Sequence, residues 1–78
     1  MQDMLKKLEK VLTKVTGRKI SVQEGQDFKR DLAVDSLSMV ELVLETEIEF
    51  GVTFDQSELT EENLATTSAF MRLLEKKV

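Results

Sequence analysis

Ser36 is the residue of this sequence to which a chemical role is most readily assigned, because it carries a hydroxyl and directly follows an acidic residue, Asp35. A serine oxygen either attacks a substrate itself, with a base to activate it, or accepts a group that another enzyme attaches. A serine at the start of a helix also has a structural use, since its side chain can cap backbone N–H groups of the first turn. The other residues of the chain must show whether Ser36 is a nucleophile, an attachment site or a helix cap.

The chain contains no histidine and no cysteine. Without them the common general base, the Cys nucleophile and the commonest transition-metal ligands are all missing, and disulfides are excluded. Catalysis by the chain alone would have to rest on carboxylates, lysines or hydroxyls. We therefore expect a protein that is not an enzyme and holds no metal of its own.

The 78 residues are enough for one domain with a thin core, and 41% apolar with 33% charged residues is a globular composition. We expect a single domain over residues 1–78. The N-terminal residues alternate charged with apolar side chains and do not resemble a secretory signal, and no apolar run approaches the length of a membrane span. The expectation is a soluble, cytoplasmic monomer.

Charge is strongly segregated along the chain. Residues 31–62 hold ten acids and no base, although the net charge of the whole chain is only −4. Such a segment repels nucleic acid and steers enzymes with basic docking surfaces toward it. A solvated acidic face with no partner is the alternative that charge alone leaves open.

Apolar residues near the N-terminus recur at three- and four-residue steps, which predicts a first helix that ends near Gly17. The periodicity fades over residues 18–34, and we expect a long loop there. Phe28 and Leu32 are the predicted anchors that hold this loop on the core.

A helix start is indicated where Asp35 and Ser36 precede the most helical stretch of the sequence, residues 37–50, which Gly51 ends. After Asp55 and Ser57 we expect a short helical turn at 61–64.

Thr66 or Thr67 then offers an N-cap for a last helix. The predicted fold class is all-α, a small bundle of three to four helices with a long loop between the first helix and the second.

The second predicted helix has more apolar surface than one buried face requires. On a helical wheel its apolar residues form two stripes roughly 140° apart. The inner stripe comprises Met39, Leu42, Val43 and Phe50, and the outer stripe comprises Leu37, Val40, Leu44 and Ile48. In a bundle this small both stripes cannot pack on the same neighbours, so we expect the outer stripe to be partly exposed.

Carboxylates border the outer stripe, with Glu41 and Glu45 on one side and Glu47 on the other. An apolar strip edged by acids suits docking to a basic partner. We expect charge reversal at Glu41 or Glu47 to slow association with little loss of fold stability. The alternative is that the long loop folds over this stripe and buries it as ordinary core.

Thr46 is a polar residue at the centre of the inner stripe. Its hydroxyl can donate to the carbonyl of Leu42 one turn earlier, which would remove the penalty of burying it.

The run from Asp31 to Leu42, Asp-Leu-Ala-Val-Asp-Ser-Leu-Ser-Met-Val-Glu-Leu, closely resembles the attachment-site motif of acyl carrier proteins. In that family an Asp-Ser-Leu triplet opens the second helix and the serine carries 4′-phosphopantetheine. Downstream, Phe50-Gly51-Val52 resembles the end of that helix and Leu64-Ala65-Thr66-Thr67 the approach to the last one. The resemblance spans essentially the whole chain.

The resemblance implies a role for each matching residue. Ser36 matches the attachment serine, and Asp35 matches the acid before it, which could help a phosphopantetheinyl transferase hold its magnesium ion. The implied docking positions match Leu37, Val40, Glu41 and Leu44, and we add Glu47 and Ile48, which border or extend the outer stripe.

What the resemblance implies for function is a freestanding carrier that presents a thioester-bound cargo to other proteins. The implied partners are the transferase, an acyl- or aminoacyl-loading ligase and downstream biosynthetic enzymes with basic docking surfaces, in fatty-acid, polyketide or related synthesis.

Three positions depart from the pattern of the family. Ala33 stands where a glycine is common, Ile48 where an acid is frequent in fatty-acid carriers, and Thr46 where those carriers usually keep an apolar lining. These differences make a short, polar or aminoacyl cargo an alternative to a long fatty acyl chain. A carrier-like acidic adaptor without a prosthetic group is the second alternative.

Overall fold

The structure is a computed structural model that describes residues 2–78. It contains three α-helices, α1 (Gln2–Thr16), α2 (Ser36–Phe50) and α3 (Thr67–Lys77), with one turn of 3-10 helix at Gln56–Glu58 between α2 and α3. Within the described part of the chain the only β-type pairing is an isolated bridge between Asp27 and Thr66. The prediction of a small all-α bundle with a long loop after the first helix is confirmed.

Local signals in the sequence set the helix ends. Asp35, in an extended conformation, accepts the Ser38 N–H on Oδ1 at 2.8 Å and so caps the start of α2. At the other end Gly51 has φ of 66°, a left-handed conformation that glycine adopts without steric cost. Thr66 caps α3 by accepting the Ala69 N–H at 3.1 Å.

The predicted helical turn at 61–64 is displaced toward the N-terminus. The 3-10 turn forms earlier because the N–H of Asp55 donates to Glu58 Oε1 at 2.8 Å and the N–H of Glu58 donates to the carbonyl of Asp55 at 2.9 Å. Residues 61–65 form consecutive hydrogen-bonded turns instead of a helix.

The core is centred on Phe70 of α3. Its ring lies 5.8 Å from the ring of Phe28, edge to face, and 5.8 Å from the ring of Phe54. Burial of such aromatic rings is the largest single contribution to a core this small. Phe28 is fully buried and Leu32 almost so, which confirms both predicted anchors of the loop.

Thr67 ties the long loop to α3. Its hydroxyl donates to the carbonyl of Gln23 at 2.6 Å and accepts the N–H of Gln26 at 3.1 Å, while its own N–H donates to the carbonyl of Gln26 at 2.8 Å. The side chain of Thr67 is fully buried, and the two bonds that its hydroxyl makes are part-buried. These bonds hold residues 23–26 of the loop against the start of α3.

Candidate functional site

Ser36 is the first residue of α2, and its side chain is exposed. The chain reaches it along a fixed path, because the N–H of Val34 donates to the carbonyl of the buried Phe28 at 2.8 Å. The serine hydroxyl is therefore presented to solvent on a rigid support, as a modification site requires. The cap of α2 is made by Asp35, not by Ser36, so the purely structural interpretation of the serine loses its basis.

Asp35 is ionised at neutral pH. The backbone N–H of Ser38, and after it the hydroxyl of Ser38, lowers the pKa of the Asp35 carboxyl below its ordinary value of 3.8. This exposed carboxylate lies directly beside Ser36 in the chain.

Ser36 borders an apolar groove of about 680 Å³ between α2 and residues 59–65. Its apolar lining comes from Met39, Val40, Val43 and Leu44 on the α2 side and from Leu59 and Leu64 on the opposite side. Thr46 does not line this groove. Leu59 and Leu64 were not identified from sequence as part of this groove, because the direction in which they face depends on the turns between α2 and α3.

Ser36 also borders a smaller depression of about 350 Å³ on the side of the long loop, formed with Lys29, Ala33, Val34 and Asp35. Lys29 lines the larger groove as well. This lysine was not singled out in the sequence, where it is one of many bases outside the acidic segment.

The outer stripe of α2 is exposed, as predicted. The exposed fractions are 72% for Leu37, 58% for Val40, 55% for Leu44 and 75% for Ile48. The alternative in which the long loop covers this stripe is wrong, because the loop packs against α3 through Thr67 instead. Val40 and Leu44 belong both to the outer stripe and to the lining of the groove.

The acids of α2 are not all available to a partner. Glu41 is exposed. Glu45 pairs with Lys14 of α1 at 3.0 Å, and Glu49 pairs with Lys10 at 3.6 Å. The two ion pairs thus direct these carboxylates toward α1.

Glu47 has a structural role that the sequence did not reveal. Its carboxylate accepts the N–H of Phe54 at 2.8 Å and so holds the segment that follows α2 against the helix. The expectation that charge reversal at Glu47 leaves the fold intact does not fit this contact. Nothing in the sequence distinguishes Glu47 from Glu41, because the bond depends on how the chain turns after Gly51.

Thr46 is fully buried, and its hydroxyl donates to the carbonyl of Leu42 at 2.6 Å. The predicted bond is confirmed. Because the hydroxyl is satisfied within the helix, it does not make the interior polar.

Residues 2–78 contain neither a metal-binding cluster of acids nor a membrane-spanning helix. No cluster of three or more acidic side chains there has the geometry to hold a metal ion, and no helix there is long and apolar enough to cross a membrane.

Comparison with known proteins agrees with this geometry. Residues 6–74 match the family described as the phosphopantetheine attachment site. The acyl carrier protein of Thermotoga maritima is 35% identical, over 90% of this chain and 94% of that protein. The acyl carrier protein of Acidothermus cellulolyticus is 41% identical, over 83% and 76% of the two chains. The meromycolate extension acyl carrier protein of Mycolicibacterium aurum is 37% identical, over 74% and 61%.

This chain belongs to the acyl carrier protein family. As a member it is a non-catalytic carrier that holds an acyl cargo on covalently attached 4′-phosphopantetheine. Its partners are a phosphopantetheinyl transferase and biosynthetic enzymes.

The residues of this acyl carrier fit the prosthetic group. Phosphopantetheine combines an anionic phosphodiester, a flexible arm and a thiol that the chain itself lacks. Ser36 offers an exposed oxygen at the start of a helix, where backbone N–H groups and the helix dipole favour an anion. The groove beside it is large enough for an apolar cargo.

Proposed function

We propose that Ser36 is the attachment residue and that residues 1–78 act as one freestanding carrier domain. The proposal is supported by the position of Ser36. It is exposed on the first residue of α2, Asp35 and not Ser36 caps that helix, and Ser36 borders an apolar groove. In the loading step the Ser36 oxygen bonds to the coenzyme A phosphorus that bears the pantetheine arm, the pyrophosphate P–O bond breaks, and adenosine 3′,5′-bisphosphate leaves. The hydroxyl proton passes to a base on the transferase. The group, once bound, supplies the thiol that forms the thioester.

Asp35 is proposed to assist loading without reacting. One carboxylate oxygen accepts the N–H of Ser38, which fixes the orientation of the side chain. The lowered pKa keeps the carboxyl ionised, as a contact to the magnesium ion of a transferase requires.

An apolar acyl chain is the cargo that the groove favours. Its floor is aliphatic, and its charged residues Asp27, Lys29 and Glu61 come from outside α2. Because Thr46 is buried elsewhere with its hydroxyl satisfied, it does not weigh against such a cargo. A short, polar or aminoacyl cargo is the alternative, and it would leave the groove lining unperturbed. Comparing the methyl NMR shifts of Val43 and Leu64 between octanoyl-loaded and glycyl-loaded protein distinguishes the two.

The test of attachment uses coenzyme A and a broad-specificity phosphopantetheinyl transferase. We expect the intact protein to gain the mass of one phosphopantetheinyl group and Ser36→Ala to gain nothing. Ser57→Ala is the matched control, since it removes an exposed hydroxyl from a residue that lines neither depression beside Ser36, and it should load normally. No gain in mass, or a gain that survives Ser36→Ala, would remove the proposal and favour the acidic adaptor without a prosthetic group.

The docking surface is proposed to be the outer stripe together with Glu41. Four exposed apolar side chains supply contact area, and the uncommitted carboxylate of Glu41 supplies orientation toward a basic enzyme surface. Glu47 borders this surface with its carboxylate already bonded. A loading ligase and downstream biosynthetic enzymes are the proposed occupants, met by a monomeric carrier in the cytoplasm.

Val40→Arg and Leu44→Arg test this surface. Each should lower the kcat/KM of a partner enzyme by tenfold or more, because a cation replaces apolar contact area and opposes a basic partner. Thr53→Arg adds the same charge at an exposed position outside α2 and should leave kcat/KM nearly unchanged. Equal losses in all three variants would show that net charge, not this surface, controls binding.

A further inference from the structure

Lys29 is the only lysine or arginine among the described residues that lines either depression bordering Ser36, and it lines both. It is followed by a segment, residues 31–62, that holds ten acids and no base. A phosphodiester on Ser36 would add one more negative charge to this acidic region. Lys29 is therefore the base that shares both depressions with Ser36 and can compensate this charge.

The backbone of Lys29 is held by hydrogen bonds, and the residue lines the same two depressions as Ser36. Its N–H donates to Asp27 Oδ1 at 2.9 Å, and the preceding residue, Phe28, is fully buried. The carbonyl of Phe28 accepts the N–H of Val34 at 2.8 Å, so this turn is bonded to the segment that leads into Ser36. The side chain of Lys29 remains exposed. The amine is thus carried by a rigid turn while it keeps the freedom to reach an anion.

Two neighbouring carboxylates, those of Asp27 and Asp31, accept hydrogen bonds from backbone N–H groups. Asp27 Oδ1 accepts the backbone N–H groups of Lys29 and Arg30, at 2.9 and 2.8 Å. Asp31 accepts the N–H of Asp27 at 2.8 Å and pairs with the Arg30 side chain at 3.6 Å. The ion pairs of the described residues do not include Lys29. Arg30 is paired with Asp31. The amine of Lys29 is in none of these ion pairs and acts on Asp27 only through space, where its charge, after the backbone N–H of Arg30, helps to lower the pKa of that carboxyl.

We infer that Lys29 holds the phosphodiester of the prosthetic group, once attached to Ser36, through an ion pair at the N-terminal end of α2. The inference rests on the proposed attachment at Ser36. Lys29 then sets the direction in which the arm leaves the serine, toward the apolar groove that the same lysine borders. It is a positioning residue and takes no part in thioester chemistry.

The experiment compares the apo and fully loaded forms of the intact protein, of Lys29→Gln and of Arg30→Gln. Arg30→Gln is the matched control, because it removes the same charge from the adjacent exposed position that lines neither depression. Melting temperatures are measured at about 10 mM and about 1 M salt, where the Debye length falls from roughly 30 Å to roughly 3 Å.

The quantity compared is the change in melting temperature on loading. In low salt this change should be roughly 1 to 6 °C less favourable in Lys29→Gln than in the intact protein, the range expected for one exposed ion pair in a domain of this size. The difference should vanish in high salt. Arg30→Gln should respond to loading like the intact protein, and Lys29→Arg should restore the intact response. The ³¹P shift of the loaded protein should depend on salt in the intact protein and not in Lys29→Gln.

Mass spectrometry of each sample distinguishes a failure of the Lys29 inference from a failure of attachment at Ser36. Loading at Ser36 with the same temperature change in Lys29→Gln and Arg30→Gln overturns the role of Lys29 and leaves the attachment site standing. Absence of loading at Ser36 overturns the attachment site and, with it, this inference.

Discussion

Ala33 carries a backbone conformation that suits glycine better than alanine. Its φ of 54° makes it the one non-glycine residue with positive φ among those described, three positions before Ser36. An L-residue in this region is strained by roughly 1–2 kcal/mol. The alanine that departs from the family pattern in the sequence is thus a residue that stores strain in the loop.

Ala33→Gly should raise the free energy of unfolding by about 0.5–1 kcal/mol, because relief of the left-handed strain exceeds the added entropy of glycine in the unfolded chain. Urea denaturation of the apo protein measures the change. Ala65→Gly, at an exposed position without positive φ, is the control and should not stabilise. A loss of stability in Ala33→Gly would show that the unfolded-state entropy dominates at this site.

Thr46 allows a second test at the scale of a residue. Thr46→Val keeps the branched shape and removes a hydroxyl that donates only to the Leu42 carbonyl, so the free energy of unfolding should stay equal or rise by up to about 1 kcal/mol. Thr46→Ser keeps the hydroxyl and deletes a buried methyl, and should cost about 1 kcal/mol. The opposite ranking of the two variants by chemical denaturation would mean that the hydroxyl bond is required for the fold.

Glu41 and Glu47 lie on opposite sides of the outer stripe, and we expect charge reversal at Glu41 to affect docking and charge reversal at Glu47 to affect stability. Glu41→Lys should slow association with a basic partner and change the free energy of unfolding by less than about 0.5 kcal/mol, since the side chain is exposed. Glu47→Lys should cost about 1–2 kcal/mol, because the N–H of Phe54 loses its acceptor. Stopped-flow association and urea denaturation measure the two effects.

Glu47→Gln is the control for that comparison, since an amide oxygen can still accept the Phe54 N–H. It should recover most of the stability that Glu47→Lys loses. If Glu47→Lys proves as stable as Glu41→Lys, the contact to Phe54 contributes nothing in solution.

The helices and the exposure of α2 were predictable from sequence because both depend on short-range signals. Asp35 and Gly51 mark the ends of α2 through local hydrogen bonding and backbone conformation, and the 3.6-residue period separates its two apolar stripes. Thr46 was predictable for the same reason, as its partner lies one turn away.

The wall of the groove and the role of Glu47 depend on contacts between segments that are far apart or irregular. Leu59 and Leu64 line the groove opposite α2 because of the turns after the 3-10 helix. That helix lies earlier in the chain than predicted, because Asp55 and Glu58 form reciprocal hydrogen bonds. Thr67 joins the long loop across more than forty residues of chain. Such pairings have no period that a single sequence displays.

The whole molecule should lose stability in acid. The pKa of Glu58 is held below its ordinary value of 4.5, first by the backbone N–H of Asp55 and then by the side chain of Lys77, and the pKa values of Asp27 and Asp35 are held below 3.8. A group whose pKa is lower in the folded state stabilises the fold above its unfolded pKa and loses that contribution as pH falls through its folded value. Stability should therefore decline below about pH 4.5.

Urea denaturation between pH 7 and pH 3 measures this decline. Glu58→Gln should be less stable at pH 7 and should show a shallower fall below about pH 4.5, since it has no carboxyl to protonate there. Glu62→Gln, an exposed acid nearby, should follow the intact protein. Parallel curves for the intact protein and Glu58→Gln would locate the acid sensitivity elsewhere.

Val40 and Leu44 lie at the border of two surfaces, since both line the groove and both project from the exposed face of α2. An enzyme that binds this face and an acyl chain that lies in the groove therefore contact the same two side chains. Two ligands that share contacts on one protein are coupled, and the coupling is reciprocal by thermodynamic necessity. With docking and cargo placed as proposed, competition for Val40 and Leu44 would make a docked enzyme weaken cargo binding in the groove by the same factor by which a cargo in the groove weakens docking. Release of the cargo would then begin with docking itself.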